Sequence, residues 1–447
     1  MNYSETIQYL YSRLPMFTRD GQSAIKPGLQ NIEAFCELLD NPHKRYKSIH
    51  IGGTNGKGSV SHILAAILQT AGYKTGLYTS PHLRDFRERI RVNGQMISEE
   101  EVIGFVAGYD KDIDHIKPSF FETTLALAFD HFAKEKVDVA VIEVGLGGRL
   151  DSTNIIKPEL SVITNIGYDH TDILGNTLQE IAKEKAGIIK KNTPVVIGQR
   201  QEEIADVFIA KAKESGSEIV FASDEFKIQK SKINIQKAES DKFENDHDFL
   251  AVTVTPVQSS NHQITKSSNQ NYLLDLTGSY QLKNLATVLS SVEQLRKQGF
   301  QITDEHVRLA LKQVKALTGL MGRWQTLSKN PLIICDTGHN EDGIKEVLKN
   351  IEATNFKNLH LVIGMVKDKD ISKVLQLLPK KATYYFCQPN IPRAKPAAEL
   401  ATEAALKGLT GLAYPSVAEA LEVAKKQAEA DDLIFVGGST FVVAEVV

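Results

Sequence analysis

The stretch Ile49–Ser61, Ile-His-Ile-Gly-Gly-Thr-Asn-Gly-Lys-Gly-Ser-Val-Ser, decides the fold of the first part of this 447-residue chain. A short apolar run, predicted to be a buried strand, leads through a glycine-rich turn into an amphipathic helix. This arrangement is typical of a polyphosphate-binding site, because it combines backbone N–H groups freed by glycines, a helix N-terminus and one lysine. In the general phosphate-loop pattern, Ser or Thr follows the Lys at once. Here Gly58 separates Lys57 from Ser59, which either weakens an ATP assignment or indicates one particular branch of phosphate binders.

The composition excludes several classes of protein. Apolar residues make up 42% and charged residues 24% of the chain, as in ordinary soluble proteins. A net charge of -3 argues against a protein that coats nucleic acid or a membrane surface. The cysteines Cys36, Cys335 and Cys387 have no metal-site spacing and predict reduced thiols in a cytoplasmic protein. No signal peptide or membrane span is predicted, and we expect a monomer.

Strands that alternate with helices predict a parallel sheet with helices on both faces. In such a sheet, ligands bind at the loops that follow the carboxyl ends of the strands. The predicted strands of this first series are Ser48–Ile51, Lys74–Thr79, Val137–Val144, Leu160–Asn165 and Pro194–Ile197. The predicted helices include one from about Val60 to Ala71, ended by Gly72, and another at Thr123–Lys134.

The composition of the chain becomes more polar after residue 221. A polar, β-rich insertion is predicted at about 222–276, with short antiparallel strands at Phe249–Val254 and Tyr272–Leu276. A helix at Leu282–Gln298 follows. A second, smaller Rossmann-like α/β series then has predicted strands at Leu332–Cys335, Leu359–Gly364, Thr383–Phe386 and Leu433–Val436. We therefore expect a P-loop ATPase-like domain over 1–320 and a second α/β domain over 321–447.

Polar residues follow the predicted strands where a parallel sheet would bring them together. Glu143 ends one strand and His170 follows the next, and neighbouring strands lie about 5 Å apart. A carboxylate and an imidazole there are suited to Mg²⁺ beside ATP, and Ser80 can add a third ligand. The alternative is a solvated loop glutamate and a capping histidine. Downstream of a phosphate loop, we favour the metal site.

Other charged clusters are ambiguous from the residues alone. The run Arg84, Arg87, Arg89 and Arg91 is interspersed with acidic residues and indicates a solvated, mostly structural surface. Lys183-Glu184-Lys185 reads as a solvated helix face. Asp336–Asn340 follows a strand, where it is either a helix N-cap turn or part of a site.

The ordered motifs resemble the folylpolyglutamate synthase/dihydrofolate synthase family of the Mur ligase superfamily, from about Gly28 to Val447. The phosphate loop Gly53–Ser59 matches the version this superfamily uses, with glycine between Lys and Ser. The other matching motifs are Ser80–Leu83, Phe120–Thr123, Glu143–Asp151, Asp169-His170, Glu184–Gly187, Gly322–Trp324, Asp336–Asn340 and 364–369.

The resemblance implies a role for each matching residue. Gly53, Thr54, Asn55, Gly56, Lys57, Gly58 and Ser59 would bind ATP phosphates. Ser80, Glu143, His170 and Lys185 would hold magnesium, with two ions expected and Lys185 carbamylated to a carboxylate-like ligand; Lys57, Lys185, His170 and Glu143 would be catalytic. Asn284, Arg323, Asp336 and His339 would bind the nucleotide from the far side of an interdomain cleft. Phe120, Phe121, Glu122, Thr123, Arg149 and Asp151 would line the site of a pterin-bearing substrate.

The implied reaction joins L-glutamate to the carboxylate of a folate or of dihydropteroate, through an acyl phosphate made with ATP. Two features depart from the family pattern: Tyr280-Gln281 stands where His-Gln is frequent, and the polar segment Ser223–Gln270 is long. Two alternatives stay open. One is another ligase of the superfamily, such as a peptidoglycan-precursor ligase, and the other is a P-loop ATPase switch.

Overall fold

The computed structural model describes residues 1–24, 28–231, 249–257, 269–367 and 371–447. These residues form two compact units. The first consists of Met1–His82, Phe86–Asp275 and Tyr280–Leu320, and the second of Leu83–Asp85, Leu276–Ser279 and Met321–Val447. Parts of two predicted features lie outside the described residues: 232–248 and 258–268 of the polar segment, and 368–369 of the motif at 364–369.

A mixed, mainly parallel sheet forms the centre of the first unit. Its strand order is β4-β3-β2-β5-β1-β6-β7-β8, and only the pairs β2–β3 and β3–β4 are antiparallel in the part described. The strands are β1 (Lys47–Gly52), β2 (Thr75–Tyr78), β3 (Ile90–Val92), β4 (Gln95–Met96), β5 (Val139–Glu143), β6 (Leu160–Ile163), β7 (Val195–Ile197) and β8 (Ile219–Phe221). The strands β1, β5 and β6 are almost wholly buried, as expected for parallel strands covered on both faces.

Helices cover the sheet of the first unit. The described helices are α1 (Tyr3–Arg13), α2 (Phe17–Asp20), α3 (Gln30–Leu38), α4 (Lys57–Thr70), α5 (Glu99–Gly108), α6 (Asp110–Ile116), α7 (Phe120–Lys134), α8 (Thr171–Leu174), α9 (Leu178–Ala186), α10 (Ala205–Ser215), α11 (Ala222–Glu225), α12 (Gln281–Lys297), α13 (Asp304–Leu311) and α14 (Val314–Thr318). Short 3₁₀ turns lie at Gly21–Ala24, Pro42–Lys44, Phe86–Arg89 and Ser152–Ile155. Within α4, the buried side chains run from Ser59 to Leu68 without a break, so this helix packs on both sides.

A small antiparallel sheet lies in the described parts of the segment predicted as a β-rich insertion. It has the order β11-β10-β9, from β9 (Phe226–Lys230), β10 (Leu250–Pro256) and β11 (Gln270–Leu274). In β10, buried residues alternate with more exposed ones, which is the pattern of a strand with one face on the protein.

The second unit is built on another mixed sheet, with strand order β12-β13-β17-β14-β15-β16. Its strands are β12 (Gln325–Lys329), β13 (Leu332–Cys335), β14 (Leu359–Ile363), β15 (Thr383–Cys387), β16 (Gly411–Tyr414) and β17 (Leu433–Gly437). Its described helices are α15 (Glu341–Glu352), α16 (Ser372–Leu377), α17 (Ala397–Ala405), α18 (Val417–Gln427) and α19 (Thr440–Ala444). Only β12 runs antiparallel to its neighbour in the ranges described.

The predicted α/β fold class is confirmed in both units, with differences at the edges. Strands β3, β4, β8, β9, β12 and β16 were not predicted, because each has at most 5 residues, too few for a clear pattern. Helix α7 begins at Phe120 instead of Thr123, because Ser119 and Glu122 form a capping box at its start. Within the described residues, no helix is long and apolar enough to cross a membrane.

Candidate active site

The phosphate loop lies between β1 and α4, at the carboxyl end of β1. Gly53 and Gly56 have φ values of 134° and 87°, which favour glycine. A Cβ atom at Gly53 would overlap Thr164 Oγ1, so the loop packs directly against the residues that follow β6. Two hydrogen bonds to Asn165 fix it there: Thr54 N donates to the backbone oxygen and Asn55 N to Oδ1, both at 2.9 Å.

Lys57 begins α4 and folds back over the loop. Its Nζ donates to the carbonyl oxygens of Gly53 and Thr54, both at 3.2 Å. The 14-residue helix α4 has no side-chain cap at its N-terminus, so its first N–H groups are directed towards the loop. A cation, free helix N–H groups and the positive end of the helix dipole together attract an anion.

Helix α12 contacts the loop through Asn284 and Gln281. A Cβ atom at Gly56 would overlap Asn284 Oδ1, and Asn284 Nδ2 donates to Gln281 Oε1 at 2.8 Å. Gln281 Nε2 in turn donates to Ser59 Oγ at 3.2 Å. This placement corrects one expectation: Asn284 belongs to the same unit as the loop, because α12 packs on α4.

The expected meeting of strand ends is found for Ser80 and Glu143. Glu143 pairs with Ile51 across the β5–β1 register, two residues before Gly53. Its side chain is 4% exposed, and Oε2 accepts a hydrogen bond from Ser80 N at 3.3 Å. A buried carboxylate therefore lies beside the phosphate loop, with a hydroxyl-bearing residue next to it.

Lys185 is not on a solvated face, contrary to the interpretation of its local sequence. Its side chain is buried near the end of α9, and Nζ donates to Gly53 O at 2.9 Å. Burial, together with the positive charge of the nearby Lys57, lowers the pKa of Lys185 to about 7. Gly148 permits this close packing, since a Cβ there would lie 3.1 Å from Lys185 Cα.

His170 immediately precedes α8 and has a φ of 50°. Its Nε2 lies 3.9 Å from Asp169 Oδ1, and the charge of Asp169 also acts on Lys185. Asp169 therefore lies close enough to interact electrostatically with both His170 and Lys185. Among the described residues, no group of three or more His, Cys, Asp or Glu side chains is placed to hold a metal. Of the four predicted metal ligands, only Glu143 and His170 are of these residue types.

Phe121 and Asp151 converge on Gly145. A Cβ atom at Gly145 would lie 2.6 Å from two ring atoms of Phe121 and 3.2 Å from Asp151 Oδ2. The Phe121 ring also packs edge-on against Tyr78, with centroids 6.0 Å apart. Burial raises the pKa of Asp151, although hydrogen bonds from Thr153, Leu146 and Gly145 act in the opposite direction. An aromatic ring and a buried carboxylate thus meet where a glycine leaves space.

The other predicted substrate residues have local structural contacts. Glu122 Oε2 accepts hydrogen bonds from Ser119 N at 2.7 Å and Ser119 Oγ at 2.8 Å, which caps α7. Thr123 Oγ1 donates to Ser119 O at 3.0 Å. Arg149 is exposed and pairs with Glu184 at 2.9 Å. Phe120 is buried in the aromatic cluster described next.

The arginine run is less exposed than the sequence indicated. Arg89 and Arg91 are 6% and 8% exposed, so the expected solvated surface is wrong for these two. Arg89 Nε donates to His82 Nδ1 at 2.7 Å, and its guanidinium lies 5.3 Å from the Phe120 ring centroid. Tyr11 OH is 3.1 Å from His82 Nε2. The alternating charges in the sequence did not predict this cluster. Tyr11 lies on α1, and only the fold places α1 beside His82 and Arg89.

In the second unit, Arg323 precedes β12 and lies beside Asp336 and His339, which follow β13. Asp336 is 3% exposed and accepts hydrogen bonds from Trp324 N at 2.7 Å and Gly338 N at 2.8 Å. Arg323 Nη1 donates to Thr337 Oγ1, and His339 Nδ1 lies 2.9 Å from Thr337 O. Through these two hydrogen bonds, Asp336 connects the turn that carries Arg323 to the turn that carries His339.

Comparisons with known proteins identify the family of this chain. The Mur ligase middle domain model matches residues 51–292, and the model "Mur ligase, glutamate ligase domain" matches 322–440. The chain belongs to the Mur ligase family. A curated Bacillus subtilis member named dihydrofolate synthase/folylpolyglutamate synthase is 30% identical over 99% of this chain and 98% of its own. A probable bifunctional folylpolyglutamate synthase/dihydropteroate synthase of Haloferax volcanii is 31% identical over 100% of this chain, which spans 50% of that protein.

Solved structures extend the likeness of this Mur ligase to three dimensions. Escherichia coli FolC in complex with DHPP and ADP has a TM-score of 0.82 at 29% identity, covering 100% of this chain and 97% of that one. The Yersinia pestis bifunctional folylpolyglutamate synthase/dihydrofolate synthase, complexed with AMPPNP and Mn ion, has a TM-score of 0.80 at 29% identity with the same coverage. These relatives identify this Mur ligase as a member of the folylpolyglutamate synthase/dihydrofolate synthase group.

Proposed function

We propose that this Mur ligase joins L-glutamate to the carboxylate of dihydropteroate, of a reduced folate, or of both, at the expense of ATP. The observation that carries this proposal is the convergence of the phosphate loop, buried Glu143 and buried Lys185 around Gly53. Family membership supplies the reaction class.

The phosphate loop and Lys57 would bind and orient ATP. Gly53–Ser59 offers backbone N–H groups at the start of α4, and Lys57 already lies over the loop carbonyls. We also assign nucleotide contacts to Asn284 in the first unit and to Arg323, Asp336 and His339 in the second. These positive and polar groups would neutralise phosphoryl charge as ATP reacts. Domains 1–320 and 321–447 would serve ATP binding and glutamate ligation respectively.

Ser80, Glu143, His170 and Lys185 fit a magnesium site by their chemistry. Hydroxyl and carboxylate oxygens are suitable magnesium ligands, and Glu143 is buried beside the loop with its Oε2 bonded to Ser80 N. Magnesium, which we expect as two ions, would supply charge neutralisation for the transferred phosphoryl group. The chain's own contribution is to exclude water around Glu143 and Lys185 and to fix their positions.

Lys185 would join this set after carbamylation. Its lowered pKa of about 7 leaves much of the amine uncharged at neutral pH, where its nitrogen lone pair can attack CO₂. The new N–C bond gives a carbamate and releases one proton. The product is an anion in place of a cation, which also removes the repulsion between Lys185 and Lys57.

The acceptor substrate would lie against Phe121 and Asp151, with Phe120, Glu122, Thr123 and Arg149 nearby in the sequence. An oxygen of its carboxylate attacks the γ-phosphorus of ATP, and the bond to ADP breaks. The glutamate amine then attacks the acyl carbon of the acyl phosphate, phosphate leaves with the bonding electrons, and the nitrogen loses a proton. Positioning of the three reactants supplies much of the rate enhancement.

The test measures ADP release with each substrate omitted in turn. A ligase should release ADP at its full rate only when glutamate and a pterin-bearing carboxylate are both present. Glu143→Ala should abolish that release, and Glu180→Ala, at an exposed capping residue of α9, is the control that should retain it. Equal ADP release without either co-substrate would instead support the ATPase switch. The monomeric state and cytoplasmic location stay predictions.

A further inference from the structure

Three buried side chains form a hydrogen-bonded chain that ends at Asp151. His50 Nε2, on β1, lies 2.8 Å from Thr153 Oγ1. The Thr153 hydroxyl bonds to Asp151 Oδ1, and Thr153 N donates to the same oxygen at 3.0 Å. His50 and Thr153 are 0% exposed and Asp151 is 7% exposed. The folded chain connects positions that are 103 residues apart in sequence.

The chemistry of the three groups sets the direction of this chain. A hydroxyl can donate one hydrogen bond, and Thr153 Oγ1 donates it to the Asp151 carboxylate. Thr153 Oγ1 must therefore accept the hydrogen bond from His50 Nε2. Burial, with a smaller effect from Lys190, lowers the pKa of His50 to about 3. The ring is therefore neutral at neutral pH, and its single proton is assigned to Nε2 by the network. Within the described part of the chain, His50 Nδ1 has no hydrogen-bond partner.

The result is a carboxylate held at both oxygens. Oδ1 receives the N–H and O–H of Thr153, and Oδ2 accepts from Leu146 N at 2.7 Å. The backbone N–H of Gly145 also donates to this carboxylate, so donors of the protein fix its position. Oδ2 is also the atom 3.2 Å from the missing Cβ of Gly145, beside the Phe121 ring.

We propose that His50 and Thr153 are positioning residues that hold Asp151 as a fixed acceptor for N–H groups of the heteroaromatic end of the acceptor substrate. The inference rests on the proposed function, because it assumes that this end lies at Phe121 and Asp151. Neither residue contacts that substrate in this proposal. Each acts through Asp151.

The experiment compares variants that keep or remove the donors. Thr153→Val removes the hydroxyl, whereas Thr153→Ser keeps it. His50→Leu removes the ring N–H, whereas His50→Gln keeps an N–H donor. Thr193→Val is the matched control, since Thr193 is also buried but its hydroxyl bonds to Pro158 O at 3.3 Å. The readouts are KM for dihydropteroate or reduced folate, KM for ATP, kcat and Tm.

Thr153→Val should raise KM for the acceptor about tenfold, the scale of one lost hydrogen bond to a charged group. His50→Leu should raise it in the same direction, while KM for ATP and kcat change less than about twofold. Thr153→Ser, His50→Gln and the Thr193→Val control should resemble wild type.

Several results would overturn the inference. One is a folded Thr153→Val with unchanged KM for the acceptor. Another is an equal rise in KM for ATP, which would indicate general disruption of the site. If Thr153→Val does not fold, the His50→Leu and His50→Gln pair decides, and equal KM values for the two would overturn the proposal. A wild-type protein that makes no glutamylated product overturns the proposed function, and this inference with it.

Discussion

Gly145→Ala is the substitution that most directly probes the space between Phe121 and Asp151. Its Cβ would lie 2.6 Å from two Phe121 ring atoms and 3.2 Å from Asp151 Oδ2. Gly145 does not have a φ in the left-handed region, so alanine brings no backbone strain there. The three atoms nearest to the added methyl group belong to the two residues assigned to the acceptor substrate.

The expected size of the effect follows from these distances. Carbon atoms pack best at about 3.5–4.0 Å, so the Phe121 ring must move by about 1 Å. If the shift costs the substrate one hydrogen bond to Asp151, the loss is about 1.5–3 kcal/mol. That loss corresponds to a rise of roughly tenfold to hundredfold in KM for the acceptor. KM for ATP should change much less, because the three atoms nearest to the Cβ belong to Phe121 and Asp151.

Initial rates of ADP release, measured against varied acceptor and varied ATP, separate the two constants. Gly104→Ala is the matched control, because a Cβ there would meet nothing within 4 Å and the residue lies inside α5. The control should keep both KM values and gain about 0.5–1 kcal/mol of stability. An unchanged acceptor KM in folded Gly145→Ala would refute the placement of the substrate, as would a rise confined to ATP.

Three more outcomes are expected. Gly53→Ala should weaken AMPPNP binding about tenfold or more in calorimetry, because its Cβ overlaps Thr164 Oγ1 at a φ of 134°; unaltered affinity would contradict the loop assignment. The pKa of His50 is about 3 when folded and about 6.5 when unfolded, so the unfolded chain binds more protons between these values. The free energy of unfolding should therefore fall as pH drops through that window, by up to ~1.4 kcal/mol per pH unit. In urea unfolding, His50→Gln should show a shallower fall with pH. Equal pH slopes for the variant and the wild type would contradict the burial argument. Removing CO₂ from the buffer should lower kcat and bicarbonate should restore it, with no such response in Lys185→Arg; indifference of the wild type would argue against carbamylation.

The sequence was most informative where apolar runs end in polar loops. It predicted β1, β5 and β6 within one or two residues, and it anticipated that Glu143 would lie near the phosphate loop. Alternation and strand length suffice for these features, since parallel strands place their carboxyl ends at one edge.

Features that depend on distant contacts were not predictable from the pattern. Nothing local shows that β5 lies between β2 and β1, that Arg89 is buried against Phe120, or that His50 reaches Thr153. Lys185 reads as solvated because its neighbours in sequence are charged, whereas in the fold α9 packs against Gly148 and Lys185 is buried. The family resemblance, and no spacing rule, gave Lys185 a role.

The central claim is that ATP is used here to join glutamate to a pterin-bearing carboxylate. Mass spectrometry of the products, after incubation with Mg-ATP, glutamate and either dihydropteroate or a reduced folate, tests it most directly. The expected result is a product heavier by one glutamate residue from at least one acceptor, absent with Glu143→Ala. No glutamylated product from either acceptor would contradict the assignment, and near wild-type ligation by Glu143→Ala would contradict the proposed metal site.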